Sequence, residues 1–393
     1  MRVAVVTQRF PTSEEKWAGH SGYQTLRILA ERHDVHVFYP EAVYPPFMKP
    51  AGKRGPTLDR LWNPDGVATT YIPFPVIPII SRPVNGVVMA NHLLPHIRRF
   101  MPDILLNYFI YPDGFATVRV ARALGVPAVL TATGADIHSI TDPVARRMTS
   151  WTLRNADFVS TVSSDLCIKA RVLGADASRS RPKLNGCDTT IFYPQDRLTA
   201  RRTLGLDPSH EIVVYVGRLD IRKGLLDLIA SVAQLAPGRP KLRCYIIGGG
   251  PDHGVLTDMI AKKNVAEYVT IVPSCPTDQV ALWMAASHLV TLPSYNEGCP
   301  NVVIEALAAG RPVVATNVGG TSELMDDRSG RLLPPGDIPA LTAALDQVLA
   351  ESWDAEAIST TFGRSWTDVA DDLHQILEET LERRNSQTHE AQK

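Results

Sequence analysis

The segment from Thr291 to Gly320, TLPSYNEGCPNVVIEALAAGRPVVATNVGG, constrains the fold more than any other. An apolar run, His288 to Pro293, reads as a strand and gives way to Ser294-Tyr295-Asn296-Glu297-Gly298. Pro300 suits the first position of a helix, where its missing N–H and fixed φ cost nothing. Asn301 to Ala309 are good helix formers, Gly310 stops them, and Arg311-Pro312 leads into a second strand, Val313 to Thr316. Strand, tight loop, helix and strand in so short a span form a βαβ unit with parallel strands.

Two carboxylates stand inside this unit. Glu297 falls in the loop, beside the unpaired N–H groups expected at residues 298–301. Glu305 falls one turn into the helix, about 6 Å farther along its axis. A helix N-terminus attracts anions, and a carboxylate beside it accepts hydrogen bonds from hydroxyls. The pair therefore suits a ligand with both phosphate and hydroxyl groups, such as a sugar nucleotide. Taken alone, Glu297 serves the helix dipole and Glu305 the solvent equally well.

A chain of 393 residues has room for two or three domains, and 45% hydrophobic with 21% charged residues is ordinary for a globular enzyme. No apolar run reaches the length of a membrane span, and Met1-Arg2 runs straight into a strand with no signal peptide expected. Five scattered cysteines (Cys167, Cys187, Cys244, Cys275, Cys299) read as reduced thiols of a cytoplasmic protein. Net charge is −1, but the two halves differ: residues 1–195 hold 22 Lys+Arg against 15 Asp+Glu, and the remainder 18 against 26. The basic half suggests an anionic partner.

Along the chain, strands are expected at 2–8, 34–40, 103–109, 127–134 and 156–163, with helices over 23–31 and 114–124 between them. Residues 41–100 break the pattern. Their prolines, basic residues (Lys49, Lys53, Arg54, Arg60, Arg82, Arg98, Arg99) and the apolar IPFPVIPII read as a proline-stiffened loop, or as a peripheral contact with anionic lipid through residues 44–100. Alternation then resumes: strands at 211–217, 242–251 and 268–275, helices over 224–235, 338–350 and 366–379, and a polar tail after Arg384 read as disordered. Arg218 and Lys223, five residues apart past a strand end, suit a diphosphate: one can fork onto two oxygens and the other adds a point charge.

Glu297-Gly298-Cys299-Pro300-Asn301 with Glu305-Ala306, the run Gly310-Arg311-Pro312-Val313-Val314-Ala315, Gly217-Arg218-Leu219 with Lys223-Gly224, and Asn185-Gly186 with Asp188, Phe192 and Pro194 together carry a resemblance. The chain resembles the retaining glycosyltransferases of family 4, of α/β GT-B fold, over essentially its whole length.

The resemblance implies two doubly wound Rossmann-like domains facing a central cleft, 1–190 for the acceptor and 191–364 for the nucleotide sugar, with a helix at about 365–380 crossing back to the first. It implies transfer, with retention, from a UDP or GDP sugar to a glycan or lipid-linked acceptor of cell-surface polysaccharide synthesis, without metal, cofactor or nucleic acid. Tyr111-Pro112-Asp113-Gly114 points to the same pathway. Arg218, Lys223 and Glu297 are then catalytic, and Glu305 takes the ribose. Gly298, Cys299, Pro300 and Asn301 meet the donor, and Ser274 and Cys275 the base. Gly19 lets the backbone approach the diphosphate. Asp136, in Gly134-Ala135-Asp136, and His138 are further catalytic candidates, because Thr133 occupies a slot often filled by His or Arg. A nucleotide-sugar epimerase and a non-catalytic scaffold are the alternatives.

Overall fold

The computed structural model describes residues 1–45, 58–77, 84–138, 140 and 142–391. The chain divides into two compact units, Met1–Leu184 with Trp366–Lys393, and Asn185–Ser365.

The first unit holds a seven-stranded sheet: β1 (Arg2–Val6), β2 (Asp34–Val43), β3 (Ala68–Pro75), β4 (Ile104–Tyr108), β5 (Ala128–Ala132), β6 (Phe158–Thr161) and β7 (Ser180–Pro182). Their order is β3-β2-β1-β4-β5-β6-β7, and every pairing is parallel. Val3, Val5, Leu106 and Val129 are fully buried, as strands covered on both faces require. The last helix, Trp366–Ala391, packs Leu373, Ile376 and Leu377 against Leu26 and Leu29 in this unit's core. It continues well past Arg384, where the sequence suggested a disordered tail.

Residues 41–100 differ most from expectation. Positions 68–75 form β3, paired with β2 from His36↔Ala68 to Val43↔Pro75. As an edge strand it tolerates Pro73 and Pro75, and it buries Tyr71, Ile72 and Phe74. A helix, Asn85–Phe100, follows and contains Pro95. Arg60 pairs with Glu41 at 2.7 Å, and Arg98 and Arg99 are exposed at the helix end. Lys49, Lys53, Arg54, Arg82 and residues 78–80 lie outside the described residues.

The second unit repeats the plan with β8 (Glu211–Val216), β9 (Leu242–Ile247), β10 (Val269–Val272), β11 (Leu289–Leu292), β12 (Val313–Thr316) and β13 (Gly330–Leu333), in the order β10-β9-β8-β11-β12-β13. The chain reverses its winding between β1 and β4 in the first sheet and between β8 and β11 in the second. Ligands of open parallel sheets bind past the strands' carboxyl ends at such points. In the second unit those ends are the loops carrying Arg218 and Lys223, and Glu297.

Candidate active site

Past β8 the chain turns at Gly217, and Arg218 stands exposed, its guanidinium without a hydrogen bond or salt bridge among the described residues. Its carbonyl accepts the buried Tyr215 hydroxyl at 3.0 Å, which fixes the loop from below. Asp220 accepts the Arg222 amide at 3.0 Å and pairs with its guanidinium, and Asp252 accepts the Ile221 amide at 2.8 Å. A single turn, Ile221–Lys223, then delivers Lys223, and the Leu225–Leu235 helix begins. Gly224 links the two at φ 69°, where a Cβ would fall 1.9 Å from the Pro293 carbonyl oxygen at the end of β11. Only glycine lets the loops approach this closely.

Lys223 Nζ reaches Glu297 Oε1 at 2.7 Å, with both side chains partly buried. Glu297 is held from the other side as well. Gly319, at φ 54°, puts its α-carbon so close that a Cβ would lie 1.9 Å from the Glu297 carbonyl oxygen, and the Gly320 amide donates to the Gly298 carbonyl at 2.8 Å. Pro300 is the residue before the Asn301–Ala308 helix, extended at ψ 109°, one position earlier than expected. The Gly298 amide donates to nothing among the described residues. Cys299 and Asn301, expected to meet the donor, hold Asn185: Cys299 Sγ accepts its amide at 3.4 Å, and Asn301 Oδ1 its side-chain amide at 2.8 Å.

Glu305 makes no side-chain hydrogen bond among the described residues, and burial pushes its carboxyl up to about 7. Its charge adds to burial in pushing the nearby Cys187 thiol up to about 12. A half-buried carboxyl left without donors is poised for a ligand hydroxyl. Ser274 is exposed after β10, while Cys275 packs against the cluster of Ile212, Val214 and Trp283. The glycines after β9 admit their own chain. A Cβ on Gly248 would fall 1.9 Å from the Gly217 carbonyl oxygen, and one on Gly250 2.3 Å from that of Leu219.

Three expected residues belong to the first unit. Gly19, at φ 61°, is fixed by the chain itself, since a Cβ there would meet the Arg9 carbonyl oxygen at 2.0 Å. The helix it starts, His20–Ala30, begins three residues earlier than expected. Asp136 is a framework residue by its contacts. Its buried carboxylate accepts the amides of Ile110, Thr133 and Gly134 at 3.1, 3.1 and 2.8 Å, beside Phe109 at φ 102°. Burial raises its pKa while these amides oppose the rise. Thr133 is exposed, and His138 ends the short Ala135–His138 helix with its side chain outside the described residues.

Asp113 was not singled out from sequence, although Tyr111-Pro112-Asp113-Gly114 stood out. It is buried, accepts the Gln8 amide at 2.6 Å past β1, keeps Oδ1 unpartnered among the described residues, and is pushed up to about 7 by burial. Among the described residues no group of three His, Cys, Asp or Glu side chains is gathered to hold a metal, and no helix is long and apolar enough to cross a membrane.

Known proteins agree with this architecture. Residues 196–364 match the family described as glycosyl transferases group 1, and residues 23–186 match the glycosyl transferase 4-like domain. The chain belongs to the group 1 glycosyltransferases and has their GT-B fold. It is similar to TuaC of Bacillus subtilis (strain 168), ascribed to teichuronic acid biosynthesis, with 31% identity over 72% of this chain and 67% of that one. A D-inositol 3-phosphate glycosyltransferase of Stackebrandtia nassauensis is 27% identical over 98% of this chain and 92% of that one. For other proteins of that name the match covers about half their length, 47% and 48% in two cases. Among solved structures, Anabaena HepE in complex with UDP superposes with a TM-score of 0.76 over 96% of this chain and all of that one, at 17% identity.

Proposed function

We propose that this glycosyltransferase moves a sugar, with retention of configuration, from a UDP sugar to a hydroxyl of a glycan or lipid-linked intermediate in cell-surface polysaccharide synthesis. The observation that carries the reading is the Lys223–Glu297 pair at the winding reversal between β8 and β11, with the unpaired Arg218 beside it. Arg218 and Lys223 meet the charge that builds on the departing diphosphate, and the Gly298 amide adds a donor. Glu297 orients the donor sugar's hydroxyls, and Glu305 accepts from the ribose. The bond from the anomeric carbon to the diphosphate breaks, and a bond to the acceptor oxygen forms on the same face. The acceptor's proton passes to the leaving phosphate oxygen.

The choice of UDP is supported by HepE, whose structures hold UDP and UDP-glucose, and the polysaccharide pathway by TuaC. Asp136 supports the first unit's loops, and no role is assigned to the His138 side chain. On this reading the cations do the work of a metal, and the enzyme acts in the cytoplasm, where free thiols like its five cysteines persist. Arg98 and Arg99 are exposed cations available to an anionic membrane surface.

The test incubates the enzyme and EDTA with UDP-, GDP- and ADP-sugars and lipid extract, and follows the anomeric configuration of the product by NMR. Transfer from a UDP sugar with retention is expected. Inversion, or release of an epimerised sugar without transfer, would overturn the reading.

A further inference from the structure

A second concentration of charge lies at the other end of the second sheet. Arg197 and Arg201 sit on the Arg197–Thr203 helix, His288 precedes β11 and Arg311 precedes β12. These are the amino ends of the strands, whereas Lys223 and Glu297 follow the carboxyl ends of β8 and β11. Arg201 and Arg311 keep only 2% and 4% of their surface exposed.

Arg201 is tied into the fold. Its Nε donates to Ala286 O at 2.9 Å, its Nη1 to Pro208 O at 2.7 Å, and its Nη2 to His288 Nδ1 at 3.1 Å. That Nδ1 also accepts the Ile212 amide at 2.8 Å, so it carries no proton, and His288 is neutral. Burial, then the arginines around it, hold His288 down at about 3.

Arg311 and Arg197 are not completed in this way. Arg311 Nη2 donates to Gln195 O at 2.8 Å, but the buried Nε of Arg311 and the buried Nε of Arg197 donate to nothing among the described residues. None of the three guanidiniums forms a salt bridge among the described residues. The acidic neighbours Asp196 and Asp207 turn an oxygen to the Thr199 and Ser209 amides instead, at 2.8 and 2.7 Å. A guanidinium cannot shed its proton, a buried charge needs a counter-charge, and an orphan N–H needs an oxygen. An anion with several oxygens supplies both needs, and the guanidinium fork fits it.

We infer that Arg197, Arg201 and Arg311 form a binding site for a small free oxyanion of the phosphate or sulfate class, at the opposite end of the second sheet from the donor site. The orphan Nε atoms are enclosed, so the site takes the free anion and excludes a phosphate esterified to a sugar.

The test is thermal melting of the full chain in chloride buffer at fixed ionic strength. An Arg218→Ala/Lys223→Ala background removes the donor site's own cations. Inorganic phosphate or sulfate at about 10 mM is expected to raise the melting temperature by about 3 °C or more, by mass action on the native state. Arg311→Met and Arg197→Met, each added to that background, are expected to abolish the rise. Arg197→Met gives up no hydrogen bond and decides the matter if Arg311→Met does not fold. No rise beyond that of chloride, or a rise that survives Arg197→Met, would overturn the site. An equal rise with glucose 1-phosphate would overturn its restriction to a free anion.

Discussion

Lys223 Nζ stands 2.7 Å from Glu297 Oε1, joining the loop after β8 to the loop after β11 across a sequence separation of 74 residues. Neither partner is fully enclosed, so the contact contributes little to stability, about 1 kcal/mol or less. Its value is positional: it sets a cation and a carboxylate side by side where the winding of the sheet reverses.

Glu297→Gln is therefore expected to lower kcat by about 100-fold or more, in line with loss of one preorganised electrostatic group. The melting temperature should shift by no more than about 4 °C. Initial rates and calorimetry on the same preparation check this, and a rate within a factor of two of wild type would remove Glu297 from the mechanism.

The Arg218 side chain makes no hydrogen bond or salt bridge among the described residues, and the backbone carbonyl that holds Tyr215 survives truncation, so its removal disturbs the ligand and not the fold. Arg218→Ala should weaken UDP binding about tenfold, as expected for a charge-assisted contact worth about 1.5 kcal/mol. Arg218→Lys should restore only part of it, since the two-pronged contact is lost. Titration calorimetry with UDP measures both.

For Glu305 the carboxyl lies at about 7, raised by burial. On the proposed reading ribose hydroxyls donate to the ionised form, so nucleotide affinity should fall as the pH drops through 7. Glu305→Gln should flatten that dependence, and a 2′,3′-dideoxy nucleotide should not show it. Stability has the opposite sign. A carboxyl whose folded pKa is raised favours the fold below its unfolded value of 4.5 and loses that contribution as pH rises through 7. Above pH 7 Glu305→Gln should gain stability relative to wild type, up to on the order of 3 kcal/mol. Urea titrations at pH 5 and 8 read the difference.

Gly319→Ala places a Cβ at 1.9 Å from the Glu297 carbonyl oxygen in a left-handed conformation. A loss of roughly 2 kcal/mol or more is expected, with a larger loss of activity than Gly125→Ala, where nothing lies within 4 Å. Denaturation midpoints and rates for the two variants make the comparison.

Asp136→Ala strips acceptors from three backbone amides and releases the strained turn at Phe109, a cost of roughly 3 kcal/mol or more. Asp136→Asn keeps part of that bonding and should retain most activity. A stable but inactive Asp136→Asn would give the carboxylate a chemical role.

Sequence made the repeating strand–helix alternation plain because parallel strands are apolar along their whole length, as in β8 and β12. It hid β3, whose prolines are permitted only because no strand pairs with its outer edge. It also hid the Asn85–Phe100 helix, which opens on an Asn-Gly that reads as a turn and carries Pro95. Within the site, the spacing of Glu297 and Glu305 was visible, being local. The meeting of Lys223 with Glu297 is a product of strand order, and the pairing of Asn301 with Asn185 depends on where the chain enters the second unit. Glycines were the least specific signal: what Gly248 and Gly250 accommodate is the backbone of the neighbouring loop.

Because Gly224 abuts Pro293 and Gly319 abuts Glu297, drift in either loop requires simultaneous change in another. Single substitutions accumulate more readily where no such mutual exclusion operates. The exposed Ser274, standing after β10 outside both contacts, is such a place. On the proposed reading, in which Ser274 meets the base, divergent descendants of this chain could exchange one nucleobase for another there, one residue at a time, while inheriting the loops that hold Lys223 and Glu297 unaltered.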